Sequence, residues 1–104
     1  MIVDTHCHLY DAEFSDRKAE VEQAALVAGV SAVLLPNINA SSLKAMDAVV
    51  EDYPGLQVGR MVGLHPCYVK EGWQEELATI RAHYLTYPSA YCAVGEIGMD
   101  LHWD

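Results

Sequence analysis

Apolar residues in this chain come in two rhythms that alternate along its length. Short branched runs at residues 30 to 35, 58 to 64 and 90 to 97 are separated by longer stretches in which apolar positions recur at helical spacing. The run at 30 to 35, in "VSAVLLP", is the size of a buried strand and is stopped by Pro36. "LQVGRMVGL" resumes strand character up to Leu64 and breaks abruptly at His65-Pro66, and "AYCAVGEIGMD" gives a fourth run. The opening residues 1 to 5 form a shorter apolar start, interrupted by Asp4, that leads into a polar loop.

Between these runs the pattern predicts three helices. Ser15 is placed to cap one starting at Asp16, with Val21, Ala24, Ala25 and Ala28 on one face and Gly29 as its C-terminal stop. The polar loop from 37 to 42 carries serines that can cap a second, whose inward face is Met46, Val49, Val50 and Tyr53, ended by Pro54-Gly55. A third covers 71 to 84, with Trp73, Leu77, Ile80 and Tyr84 inward and Glu71, Glu75 and Glu76 outward. The order is β-α-β-α-β-α-β. Strands apolar on both faces and separated by helices predict an α/β fold with a parallel sheet covered by right-handed crossovers.

Composition narrows the function classes. Six basic residues stand against fifteen acidic ones, a formal charge of -9, which excludes gripping nucleic acid by general electrostatics. A bound divalent cation would invert that charge locally, so a phosphate substrate remains open. Cys7, Cys67 and Cys92 are odd in number and in no CxxC spacing, which fits a reducing compartment. The start lacks signal-peptide character and no run approaches a membrane span, so the expected location is cytoplasmic, without a membrane partner.

The candidate chemistry collects at one place. In a parallel sheet the C-terminal ends of all strands share an edge, where α/β folds build their sites. His6 and His8 end the first strand, His65 the third and Glu96 the fourth. Two apart in extended backbone, His6 and His8 face the same way with Cα atoms about 6–7 Å apart; they read either as a metal-ligand pair or as surface-loop histidines. Asp4, on the same parity, can hold a histidine tautomer from behind. Cys7 points the other way and reads as a small buried hydrophobe. Glu96, bracketed by Gly95 and Gly98, either pairs with a cation or is already in water. His65 reads as a donor to a phosphate or carboxylate, or as a loop residue. Asp100 reads as a supporting or loop-tethering carboxylate, or as a solvated turn residue. His83 is expected at the surface, and His102 has no context. Phosphate-binding glycine loops and nucleophile elbows are absent.

"VDTHCHLYDAEF", "GLHP" at 63 to 66 and "AVGEIGMD" at 93 to 100 together resemble the TatD family of metal-dependent deoxyribonucleases. The resemblance implies the N-terminal half of a (β/α)₈ TIM-type barrel, a single partial domain over 1–104. It implies one or two divalent ions (Mg, Mn or Zn) held by His6, His8 and Glu96, and phosphodiester cleavage in DNA with Glu96 and His65 as the catalytic residues of this part. In the family, two more histidines and an aspartate from later strands complete the site. The chain also departs locally: Met99-Asp100-Leu101 lacks the usual tyrosine, and Leu9-Tyr10 precede Asp11 where an aspartate normally follows sooner. "LHWD" ends without a helix or cap, so a piece of a longer enzyme is expected. The other reading is a half-barrel whose open edge pairs with a partner or a second copy, as a homodimer.

Overall fold

The computed structural model describes residues 1–102; Trp103 and Asp104, the last two residues of "LHWD", lie outside the described residues. The alternation is carried through. β1 (Ile2–Asp4) is followed by α1 (Lys18–Val27), β2 (Val30–Leu35), α2 (Leu43–Val49), β3 (Gln57–Val62), α3 (Trp73–Thr86) and β4 (Ala93–Val94). The strands pair in parallel in the spatial order β1-β2-β3-β4. With chain order and spatial order the same, every strand's C-terminus reaches the same edge. Among the described residues no helix is long and apolar enough to cross a membrane.

The core forms where α2 and its flanking turns meet the two central strands. Leu43, Met46 and Val49 of α2, with Tyr53 and Leu56 after it, pack into one buried cluster with Val33 and Leu35 of β2, Val62 and Leu64, and Leu9 and Ile80 from either side. Met46, Tyr53 and Leu35 are fully enclosed.

Away from this cluster the burial expected from the pattern is incomplete. Ile2 and Val3 of β1 are 52% and 47% exposed, and Val94 of β4 is 64% exposed. Both strands have a neighbour on one side only, so half of their apolar surface has nothing to pack against. The third helix starts at Trp73 and not Glu71, and of its four expected inward residues Ile80 alone is buried. Trp73, Leu77 and Tyr84 line an open apolar groove with Val94 and Ile97. The first helix begins at Lys18 without a side-chain cap. Ser15 donates instead to the Ala12 carbonyl, 2.8 Å away, in a preceding 3-10 turn. Gly29, at φ +90°, does end that helix in the left-handed region. His83 is not a free surface residue: its Nε2 lies 2.9 Å from Asp47, which also binds Arg60 at 2.6 Å and accepts from the Tyr91 hydroxyl at 3.2 Å.

One residue of the loop after β2 holds the sheet's C-terminal edge. Asn37 is fully buried. Its side-chain amide donates to the Gly63 carbonyl beyond β3 at 2.8 Å, and its side-chain oxygen accepts from the Ile38 amide at 3.0 Å and the Ser42 hydroxyl at 2.6 Å. Its backbone N–H donates to Gly95, and its carbonyl accepts from Glu96, both at 3.0 Å. Every polar group of this residue is therefore paired, and it joins the ends of β2, β3 and β4. Replacing it with alanine strands the buried Gly63 carbonyl and removes the bonds from Ile38 and Ser42, so Asn37→Ala is expected to cost about 2–3 kcal/mol. A urea titration reads this as a lower midpoint at unchanged slope; an unchanged midpoint would remove Asn37 from that role.

Candidate metal centre

The four candidate residues reach one point because backbone hydrogen bonds extend the sheet past the strand ends. The Cys7 amide donates to the Leu34 carbonyl at 3.1 Å, which keeps the chain beside β2 as it passes from His6 to His8. The His65 amide donates to the Ile38 carbonyl at 2.8 Å, and Gly95 donates to Val62 at 2.9 Å. Glu96 is then fixed by its bond to Asn37. Gly63 leaves room for this close approach: a Cβ there would sit 2.8 Å from the Glu96 carbonyl oxygen and from the Gly95 carbonyl carbon.

The side chains converge, although β1 ends at Asp4 and His6 lies in a bend beyond it, not in the extended strand that the parity argument assumes. His6 Nε2 and His8 Nε2 are 3.2 Å apart, and Glu96 Oε2 is 3.4 Å from the first and 3.6 Å from the second. The other carboxylate oxygen, Oε1, is 3.1 Å from His65 Nε2. These spacings suit donors that share one small cation. Bonds of 2.0–2.2 Å put ligand atoms about 3.3–3.6 Å apart around a tetrahedral ion and about 3.0 Å apart at cis positions of an octahedral one.

A second observation tests the fit independently. Glu96 Oε2 is buried and accepts no hydrogen bond, an expensive state for a carboxylate oxygen unless a cation faces it. Burial pushes the His8 imidazole below its ordinary pKa, with His6 and His65 adding to the effect and Glu96 opposing it. Its neutral, ligating form is thereby favoured. Two imidazoles and an unsatisfied carboxylate oxygen can hold a divalent metal with solvent completing the shell.

The remaining candidates fall outside this point. Asp4 supports the site through backbone: its carboxylate accepts from the His6 amide at 3.1 Å, so it does not set an imidazole tautomer. Cys7 is half-buried against the core. Asp100 is the tether of the two earlier readings, accepting from the Cys67 thiol and from the His102 amide, each at 2.8 Å. Three contributors escaped the sequence reading. In sequence Asn37 reads only as part of a polar loop, and Gly63 only as part of a strand run and of the "GLHP" stretch. Tyr10, whose hydroxyl is 2.9 Å from His8 Nδ1 and donates to the Pro36 carbonyl, looked like a spacer. A polar residue directly after the Pro36 stop was the one signal for Asn37.

A parallel α/β sheet with histidines and an unsatisfied carboxylate at its strand ends belongs to the α/β class that builds its sites on that edge. The comparisons agree. The family model described as "TatD related DNase" matches residues 3–104, and the chain belongs to the TatD family. It is 34% identical over 103 residues to the uncharacterized metal-dependent hydrolase YjjV of Escherichia coli (strain K12), covering 98% of this chain and 39% of that protein. It is 27% identical over 104 residues to the uncharacterized metal-dependent hydrolase YabD of Bacillus subtilis (strain 168), covering 100% and 39%. The crystal structure of YjjV, a TatD homolog from Escherichia coli K12, superimposes with a TM-score of 0.84 at 31% identity, over 99% of this chain and 39% of that one. The four strands are thus the N-terminal part of a TatD barrel, and the chain spans about two fifths of the length of these relatives.

Gly63→Ala tests how tightly the edge is assembled. The added methyl must push the Gly95–Glu96 backbone away, so cation affinity is expected to fall by about tenfold or more while the helical circular dichroism stays. Unchanged affinity by calorimetric titration would show that Glu96 does not need this approach.

Proposed function

We propose that this chain supplies a divalent-metal site of a phosphodiester hydrolase acting on DNA, with His6, His8 and Glu96 as the metal ligands. The observation that carries the reading is the buried Glu96 oxygen without a hydrogen-bond donor, facing two imidazole nitrogens at ligand-sharing distance. A cation of the Mg, Mn or Zn kind, as one ion or a pair, would supply charge neutralisation at a phosphate and activation of water at neutral pH.

The chain's own residues do the rest. His65 Nδ1 accepts from the Cys67 amide at 3.0 Å, so its Nε2 carries the hydrogen, 3.1 Å from Glu96 Oε1. On the open side of the edge that N–H can serve a phosphate oxygen. His6 is exposed and His8 half-buried, so substrate approaches over His6. With so acidic a chain, the phosphate is held through the cation and His65 and not by a basic surface. The family description as a DNase favours DNA over a small ester, and the relatives described as metal-dependent hydrolases support a metal-dependent hydrolase.

Incubation with single-stranded and duplex DNA, with each cation and with chelator, tests this. Cleavage is expected with added metal, abolished by chelator and reduced at least about hundredfold by His6→Ala or Glu96→Gln. Tight metal binding with no cleavage of any phosphodiester would overturn the catalytic reading for this chain. Failure to bind a metal at all would overturn the site.

A further inference from the structure

The hydrogen bonds behind the imidazoles carry information that their metal-facing atoms do not. His8 Nδ1 lies 2.9 Å from the Tyr10 hydroxyl oxygen, and that hydroxyl also touches the Pro36 carbonyl. A carbonyl can only accept, and a phenol has one hydrogen to give. If Tyr10 gave it to His8, two oxygen lone pairs would face each other at the Pro36 contact. If His8 Nδ1 were bare while Tyr10 served Pro36, a nitrogen and an oxygen lone pair would collide at 2.9 Å. One arrangement satisfies both contacts: His8 Nδ1–H donates to Tyr10, and Tyr10 O–H donates to Pro36. In the neutral ring His8 Nε2, facing Glu96 and 3.2 Å from His6 Nε2, then carries a lone pair.

His65 is set the opposite way. The Cys67 backbone N–H can only donate, and it points at His65 Nδ1. Nδ1 is therefore the acceptor and Nε2 holds the hydrogen, with Glu96 Oε1 3.1 Å away.

We propose that the fold sorts these two histidines into opposite neutral tautomers before any cation arrives, with Tyr10 the positioning residue that keeps His8 open at Nε2 and the Cys67 amide the group that keeps His65 a donor. Two imidazoles on the same carboxylate are thereby given different jobs, one to ligate and one to donate. Asp11, the nearest carboxylate after His8, is turned away to cap the Ala12–Phe14 turn, accepting from the Glu13 amide at 3.0 Å. Tyr10 occupies the position behind His8, anchored to the end of β2 through Pro36. The ligand role of His8 rests on the metal reading above; the tautomers do not.

Long-range 15N–1H correlation spectra of the histidine rings in the metal-free protein test it directly. His8 is expected as the Nδ1–H form and His65 as the Nε2–H form. In Tyr10→Phe, His8 is expected to lose that preference, His65 to stay unchanged, and Zn2+ affinity to fall by roughly 10–100-fold. Finding His8 as the Nε2–H form in the unsubstituted protein, or with its tautomer and Zn2+ affinity unmoved by Tyr10→Phe, would overturn the proposal even if the variant's stability changed. If the tautomers are as stated but Zn2+ moves neither the His6 nor the His8 signals, the metal reading fails and the sorting stands.

Discussion

The site depends on one buried amide. A parallel sheet brings strand ends to a common edge, but that alone leaves Glu96 and His65 free to wander on separate loops. Asn37 removes that freedom by bonding, through side chain and backbone together, to Gly63 after β3 and to both Gly95 and Glu96 after β4. Its neighbour Ile38 holds the His65 amide. The short β4, only Ala93–Val94, becomes intelligible in this light. Its ladder is brief because the next bonds go to Asn37, and those bonds aim the carboxylate.

Electrostatics then define what the assembled edge can accept. Glu96 Oε1 lies 3.1 Å from His65 Nε2, and Oε2 is buried beside His6 and His8 without a hydrogen-bond donor. Protonating both histidines would compensate the carboxylate but crowd two positive rings at 3.2 Å. A single divalent ion neutralises the carboxylate and uses both lone pairs at once. The acidic surface elsewhere does not oppose this, because it attracts cations.

Much of this was legible in the sequence, for a definable reason. Helical and strand rhythms repeat every few residues, so the β-α-β-α-β-α-β order could be read locally, and parity placed His6 and His8 on the same side. Strand ends marked by His65-Pro66 and Gly95-Glu96 then put four ionisable residues on one edge. What escaped was non-local. Asn37 reaches Gly63 across 26 residues, Tyr10 reaches Pro36 across 26, and His83 pairs with Asp47 across 36; no local pattern announces such bonds. Helix faces misled in the opposite direction. Trp73, Leu77 and Tyr84 have core-like spacing, yet they lie open on a groove with β4, because periodicity reports which face is apolar and not what covers it.

The central claim is that His6, His8 and Glu96 share one cation. X-ray absorption at the zinc edge, on the protein loaded with one equivalent of Zn2+, tests it most directly. The account predicts two imidazole nitrogens and one carboxylate oxygen at about 2.0–2.2 Å, no sulfur, and one imidazole lost from the shell in His8→Ala. A sulfur at about 2.3 Å, drawn from Cys7 or Cys67, or a shell unchanged in His8→Ala, would contradict it.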